Sequence, residues 1–189
     1  MKKIAMTLLG GLSLGVIATP AVAQDKVKVE SAPLAVTHIK VHTTKKYADV
    51  RAAIESSLAS FDAPMRQLLK DGKIEELRAA AAKGAGKFGL MIHYTAYHGD
   101  LLMLNGGKKN LIAYYIGNIL SATSMTAINP AAGLYAPLRM VVYEDASGGT
   151  TIEYDKPSTM FGQFRNPEID KVAKSLDARI LNLARTVSE

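Results

Sequence analysis

The chain has no cysteine among its 189 residues, and this absence constrains it more than any motif it carries. Without cysteine there is no disulfide framework, zinc ribbon, thioredoxin-like redox pair, covalently attached c-type haem or lipid-modified amino-terminal cysteine. A domain without such staples folds only by burying a sufficient apolar core. The composition allows one, because 48% of the residues are hydrophobic and 21% charged, a globular rather than a disordered balance.

The start of the chain reads as a cleavable secretory signal. Met1, Lys2 and Lys3 form a short basic opening, Ile4 to Ile17 is an apolar run interrupted by Gly and Thr, and Ala21-Val22-Ala23 is an A-x-A site ahead of Gln24. The run is 14 residues long and rich in glycine. A membrane-spanning helix needs roughly 20 strongly apolar residues, so no transmembrane anchor is expected after cleavage. Residues 1–23 are therefore expected to be removed, with a periplasmic destination, or secretion as the alternative. Loss of Lys2 and Lys3 takes the net charge from +6 to +4 over the 166 residues Gln24 to Glu189. At that length a single domain buries roughly 70% of the surface its unfolded chain exposes. The charge is dispersed, and pairs such as Lys45-Lys46 and Lys108-Lys109 lack the runs and interleaved aromatics that track a phosphate backbone. Nucleic acid is not an expected partner, and solvated surface charge with some attraction to acidic membrane or cell-wall surfaces is the better reading.

Residues 24–33 read as a flexible lead-in and 34–189 as one α+β domain. Leu34, Val36, Ile39 and Val41 suggest a first strand, with the alternation slipping by one in the middle. Tyr47, Val50, Ile54, Leu58 and Phe61 place an apolar stripe on a helix from about 46 to 60. Pro64 breaks it, and a second helical stretch runs to Ala82 with a kink or division at Gly72. After Gly84 and Gly86 an extended segment reaches Tyr94, a turn falls at Gly99-Asp100, Leu101 to Leu104 looks like a returning strand, and Leu111 to Ile116 a third. Asn118 caps a short helix to Ala127. Leu138 to Tyr143 and Thr150 to Tyr154 make a hairpin around Asp145-Ala146-Ser147-Gly148-Gly149. Asn166 and Pro167 then open a closing helix whose buried stripe is Ile169, Val172, Leu176, Ile180 and Leu183. Tight turns between neighbouring strands imply an antiparallel sheet.

Two motif matches are rejected. Gly84-Ala85-Gly86-Lys87-Phe88-Gly89 spells G-x-G-x-x-G, but a dinucleotide site needs a strand before it and a helix after it, and here that order is reversed. Gly11-Leu12-Ser13-Leu14-Gly15 spells a nucleophile elbow inside the expected signal peptide. His38 and His42 share a strand face roughly 13 Å apart at about 3.3 Å per residue, too far for one metal ion. His93 and His98 fall on opposite sides if their strand is continuous, and ordinary hydrogen bonding suits all four. Seven of the eight tyrosines, Tyr94, Tyr97, Tyr114, Tyr115, Tyr135, Tyr143 and Tyr154, lie in the sheet half, where an apolar ring with a polar tip suits a ligand wall or a subunit interface.

At Ile116-Gly117-Asn118, at Ala131 to Arg139, at Val141-Val142-Tyr143-Glu144-Asp145 and at Tyr154-Asp155-Lys156-Pro157-Ser158 the chain resembles the DUF302 family, a domain of unknown function. The similarity runs from roughly Lys46 to Ile180. It implies a TBP-like α+β domain, an antiparallel sheet with helices packed on one face, and often a dimer. It implies no established activity and transfers no catalytic residue. The chain departs from the family pattern at Ile119, where members often have proline, and at Tyr97, where many carry aspartate before the histidine. The second departure removes a carboxylate that would orient or charge His98.

The leading expectation is a non-enzymatic exported binding domain, a homodimer, holding a small apolar or amphipathic ligand or a protein partner between sheet and helices. The ligand-binding candidates are His98, Tyr94, Arg139, Tyr154, Asp155 and Ser158, and no cofactor or metal is expected. The alternatives are a periplasmic enzyme in which His98, Asp155 and Arg139 meet in one cleft, and a haem or metal carrier using histidine and methionine.

Overall fold

Strand alternation and helix caps explain most of the architecture. The structure is a computed structural model and describes residues 27–189. The expected signal peptide and the first three residues of the lead-in lie outside the described residues. Residues 27–37 carry no helix or strand and are exposed, so the first strand starts four residues later than the apolar pattern suggests, with Leu34 and Val36 left in solvent.

From Leu34 onward the chain forms one unit. In order come β1 (His38–Thr43), α1 (Tyr47–Ser57), α2 (Ala63–Lys70), α3 (Ile74–Gly84), β2 (Met91–Ala96), α4 (His98–Leu101), β3 (Leu111–Gly117), α5 (Ile119–Thr126), β4 (Leu138–Glu144), β5 (Thr150–Asp155), α6 (Pro157–Phe161) and α7 (Pro167–Ser188). The strands make one five-stranded sheet in the order β1-β5-β4-β3-β2, and every neighbouring pair is antiparallel. The expected α+β class with an antiparallel sheet is the class observed.

The expected strand over Leu101 to Leu104 does not form. The chain instead turns into α4 and then a 3-10 helix, Leu102–Asn105. Gly99 is the physical reason. A Cβ there would lie 2.1 Å from the Lys109 carbonyl oxygen and 2.7 Å from that of Leu111, so α4 approaches the start of β3 as only glycine allows. The segment then satisfies its amides locally, Gly106 N–H donating to the Met103 carbonyl and Gly107 N–H to that of Leu102. Its apolar side chains Leu101, Met103 and Leu104 remain exposed.

Alternation sends Ile39 and Val41, Ile152 and Tyr154, Met140 and Val142, and Ile112, Tyr114 and Ile116 to one face of the sheet. There they pack with Val50 and Ile54 of α1 and with Ile169, Leu176, Ile180 and Leu183 of α7. Each fully buried aliphatic side chain contributes about 1.5–3 kcal/mol, and this one cluster supplies what a chain without disulfides requires. Asn166 accepts the Glu168 and Ile169 amides and Pro167 opens α7, the start the sequence predicts.

Candidate functional site

The same alternation that fills the core leaves His38, Lys40, Tyr94 and Arg139 exposed on the other face of the sheet among the described residues, and there the register brings distant residues into line. His38 faces Asp155 across β1 and β5, Tyr115 faces Arg139 across β3 and β4, and Tyr94 faces Tyr115 across β2 and β3. The β4–β5 pairing of Met140 with Tyr154, carried one step on, sets Arg139 against Asp155. One row therefore crosses all five strands: imidazole, carboxylate, guanidinium, phenol, phenol. The Tyr94 and Tyr115 rings are 5.5 Å apart and tilted by 58°.

Beside this row is a cleft of about 300 Å³, bordered by His38, His98, Ala113, Tyr115, Arg139, Val141, Tyr143, Glu153, Tyr154 and Asp155. The small side chains of the next row, Val141 and Ala113, make the depression. Of the residues singled out from sequence, His98, Arg139, Tyr154 and Asp155 meet here, and Tyr94 stands beside the cleft on Tyr115. Tyr154 reaches it only from behind, since its ring belongs to the core. Ser158 is not among the bordering residues: it lies at the start of α6, where its amide donates to the Asp177 carboxylate at 2.8 Å. Sequence reading passed over His38 and Glu153 as site residues, and named Tyr143 only among the seven sheet tyrosines that suit a ligand wall or an interface. The alternation His38, Lys40, His42 marks a polar strand face but says nothing about which strand lies next to it.

The electrostatics of the cleft are organised by its two carboxylates. His38 Nδ1 lies 2.8 Å from Asp155 Oδ1 and its Nε2 lies 2.7 Å from Glu153 Oε2. Only an imidazolium donates from both nitrogens, and Asp155 first, then Glu153, raise the His38 pKa above its ordinary value. Glu153 also accepts from the Tyr143 hydroxyl and pairs with Lys40 at 2.9 Å. The Tyr143 bond foremost, then Lys40 and His38, hold its pKa at about 2. Both ring nitrogens of His38 are thus taken by carboxylates, on opposite sides of the ring. Among the described residues no group of three or more His, Asp and Glu is placed to hold a metal ion. Asp155 is engaged by His38 and not by His98, so His98, Arg139 and Asp155 share a cleft without forming an acid-base pair. His42 makes an ordinary bond to the Thr151 hydroxyl at 2.9 Å, as its spacing suggests. His93 and His98 are not on one strand, because α4 has already begun at His98.

A second concavity lies between the sheet and the helices. It measures about 210 Å³ and is walled by Ile119, Ala122 and Met125 of α5, Ala136, Pro137 and Leu138 at the start of β4, Phe161 of α6 and Leu176 of α7. Asn118 positions α5 against it: its carboxamide oxygen accepts the Leu120 and Ser121 amides at 3.0 Å, and its nitrogen donates to the Gly89 carbonyl at 3.1 Å. His93 of β2 also borders the cavity. Burial, and then the charge of Arg66, lower the His93 pKa against the opposing pull of the Gly117 carbonyl, so its imidazole is neutral near pH 7. The sequence marked His93 only as a strand-end histidine.

The segments that carry the family resemblance divide between these two places. Gly117, Asn118 and Ala136 to Leu138 border the apolar cavity, while Arg139, Val141, Tyr143, Tyr154 and Asp155 border the open cleft. Ile119, where members often have proline, is itself a wall of the cavity. No curated protein matches the chain. A crystal structure of an uncharacterized conserved protein DUF302 from Bacillus stearothermophilus is similar in fold, with a TM-score of 0.57 and 16% identity over 80% of this chain and 98% of that one. The sequence pattern described as Domain of unknown function DUF302 matches residues 67–187, and the chain belongs to the DUF302 family.

Proposed function

We propose that this protein is an exported, non-enzymatic binding module that takes a small apolar ligand into the cavity between its sheet and its helices. The observation that carries this reading is the lining: apolar side chains from α5, the start of β4, α6 and α7 line a concavity of about 210 Å³, with the neutral imidazole of His93 and the carboxamide of Asn118 at its wall. An apolar cavity of about 150 Å³ already accommodates benzene, so this one suits a ligand of one or two rings. His93 then supplies a single hydrogen bond that orients a polar tip on an otherwise apolar molecule. Calorimetric titration with indole tests the reading. Binding is expected, and Ala122→Phe, which fills the cavity from α5, is expected to abolish it. Absence of indole binding, or undiminished binding in a folded Ala122→Phe variant, rejects the proposal. Export predicts a mature protein beginning at Gln24, which mass spectrometry of the recovered protein reads directly.

A second reading, docking to a second copy of this chain, is favoured by a specific feature. Tyr94, Tyr97, Leu101, Met103 and Leu104 are all exposed within eleven residues, Leu104 by 85%, and clustered exposed apolar side chains mark interaction surfaces. Sedimentation velocity is expected to give a dimer that Leu104→Asp dissociates. A monomer at every concentration removes this reading and leaves the cavity proposal standing.

A further inference from the structure

We infer that the cleft on the open face of the sheet is a separate binding site for a planar aromatic monocarboxylate, with Arg139 receiving the carboxylate and the Tyr115 and Tyr94 rings the aromatic plane. Arg139 is an exposed guanidinium in mid-sheet, and among the described residues it has no ion pair and no side-chain hydrogen bond. Its nearest acidic neighbour in the row is already engaged, because Asp155 bonds His38, and Glu153 in the next row is shared by His38, Lys40 and Tyr143. The acids and cations on the β1 side thus satisfy one another, and the positive charge left over is the one beside the aromatic pair. A free planar guanidinium matches a carboxylate with two parallel N–H donors.

The ring partner follows from the floor. Tyr115 lies directly across from Arg139 and Tyr94 across from Tyr115, with ring centroids 5.5 Å apart. A flat ligand anchored at Arg139 therefore stacks on Tyr115 and meets Tyr94, tilted by 58° from it, at an angle, and offset and tilted ring contacts both contribute beyond buried area. Val141 and Ala113 leave the depression that admits its thickness, and the cleft of about 300 Å³ exceeds the space a single ring needs. Acetate and phosphate present no ring to the tyrosines, so the aromatic contacts select an aromatic monocarboxylate over either.

The test is calorimetric titration of the whole protein with 4-hydroxycinnamate, its neutral amide, acetate and inorganic phosphate. 4-Hydroxycinnamate is expected to bind, the amide about tenfold or more weaker, since a charge-assisted pair carries that difference, and acetate and phosphate not measurably. Arg139→Gln is expected to lower 4-hydroxycinnamate affinity about tenfold or more, and Arg139→Lys to restore only part of it, because a point charge lacks the fork. Ala122→Phe is expected to leave this affinity unchanged, which separates the site from the apolar cavity. Equal affinity in wild type and a folded Arg139→Gln variant overturns the inference. So does loss of binding in Ala122→Phe, which moves the ligand to the cavity, and so does absence of binding to the wild type.

Discussion

Tyr114 and Tyr115 are adjacent in sequence and sit on opposite faces of the same strand, and their contrast describes the molecule. Tyr114 is fully buried in the core, its hydroxyl donating to Glu55 at 2.9 Å, and burial before anything else raises its pKa. Tyr115 is half-buried on the open face, with Tyr94 on one side and Arg139 on the other. Strand parity alone separates a structural tyrosine from one available to a ligand. One face therefore holds the stability of the domain, and the other is free to carry charge and aromatic surface whose cost the fold can bear.

The largest test of that division uses another pair of neighbours. Met140 is fully buried on the covered face and Val141 partly buried on the open one. Met140→Ala is expected to cost about 2–5 kcal/mol by urea denaturation, and Val141→Ala less than about 1 kcal/mol. Equal losses would show that the open face is also a core. Gly99→Ala forces a Cβ against two backbone oxygens and is expected to cost about 1–3 kcal/mol while moving α4, and His98 with it, out of the cleft. An unchanged His98 resonance would contradict that. Smaller again, Tyr114→Phe is expected to cost about 1 kcal/mol through loss of its bond to Glu55, whereas Tyr115→Phe leaves stability unchanged.

A further test is a pH dependence to which the open face contributes through His38 and Glu153. The His38 pKa is raised in the folded state, so its contribution is fully present below about pH 6.5, its unfolded value, and is lost as pH rises through the higher folded value. Glu153 behaves in the opposite sense. Its pKa, lowered to about 2, gives a contribution present above about pH 4.5 that is lost as pH falls toward 2. A proton NMR titration is expected to place the His38 midpoint above 6.5, and His38→Ala to flatten stability between neutral and alkaline pH. A midpoint at or below 6.5 would mean that the two carboxylates do not hold the ring.

Much of the fold was legible because its signals are local. Asn118 and Asn166 announced their helices and do cap them, and the hairpin around Asp145 to Gly149 lies between β4 and β5 as expected. The segment Leu101 to Leu104 was misread because a short apolar run has no periodicity that separates strand from helix, and the constraint that decides it is the close approach of Gly99 to β3. The candidate site was legible in part. His98, Arg139 and Asp155 stood out as polar groups near strand ends and do border one cleft, yet nothing near His38 in sequence points to Asp155, 117 residues away.

By itself the sequence determined the class of this domain: a chain without cysteine, carrying alternating strands and well-capped amphipathic helices, had to build an antiparallel sheet covered by helices. Periodicity and capping act over a few residues, so they are written locally. Only the tertiary structure decided that the first strand pairs with the last, that the acids of β5 are satisfied by His38 and Lys40 of β1, and that Arg139, beside two tyrosines, has no acidic partner among the described residues. Those outcomes depend on register between distant strands, and register is set by how all the apolar faces pack at once.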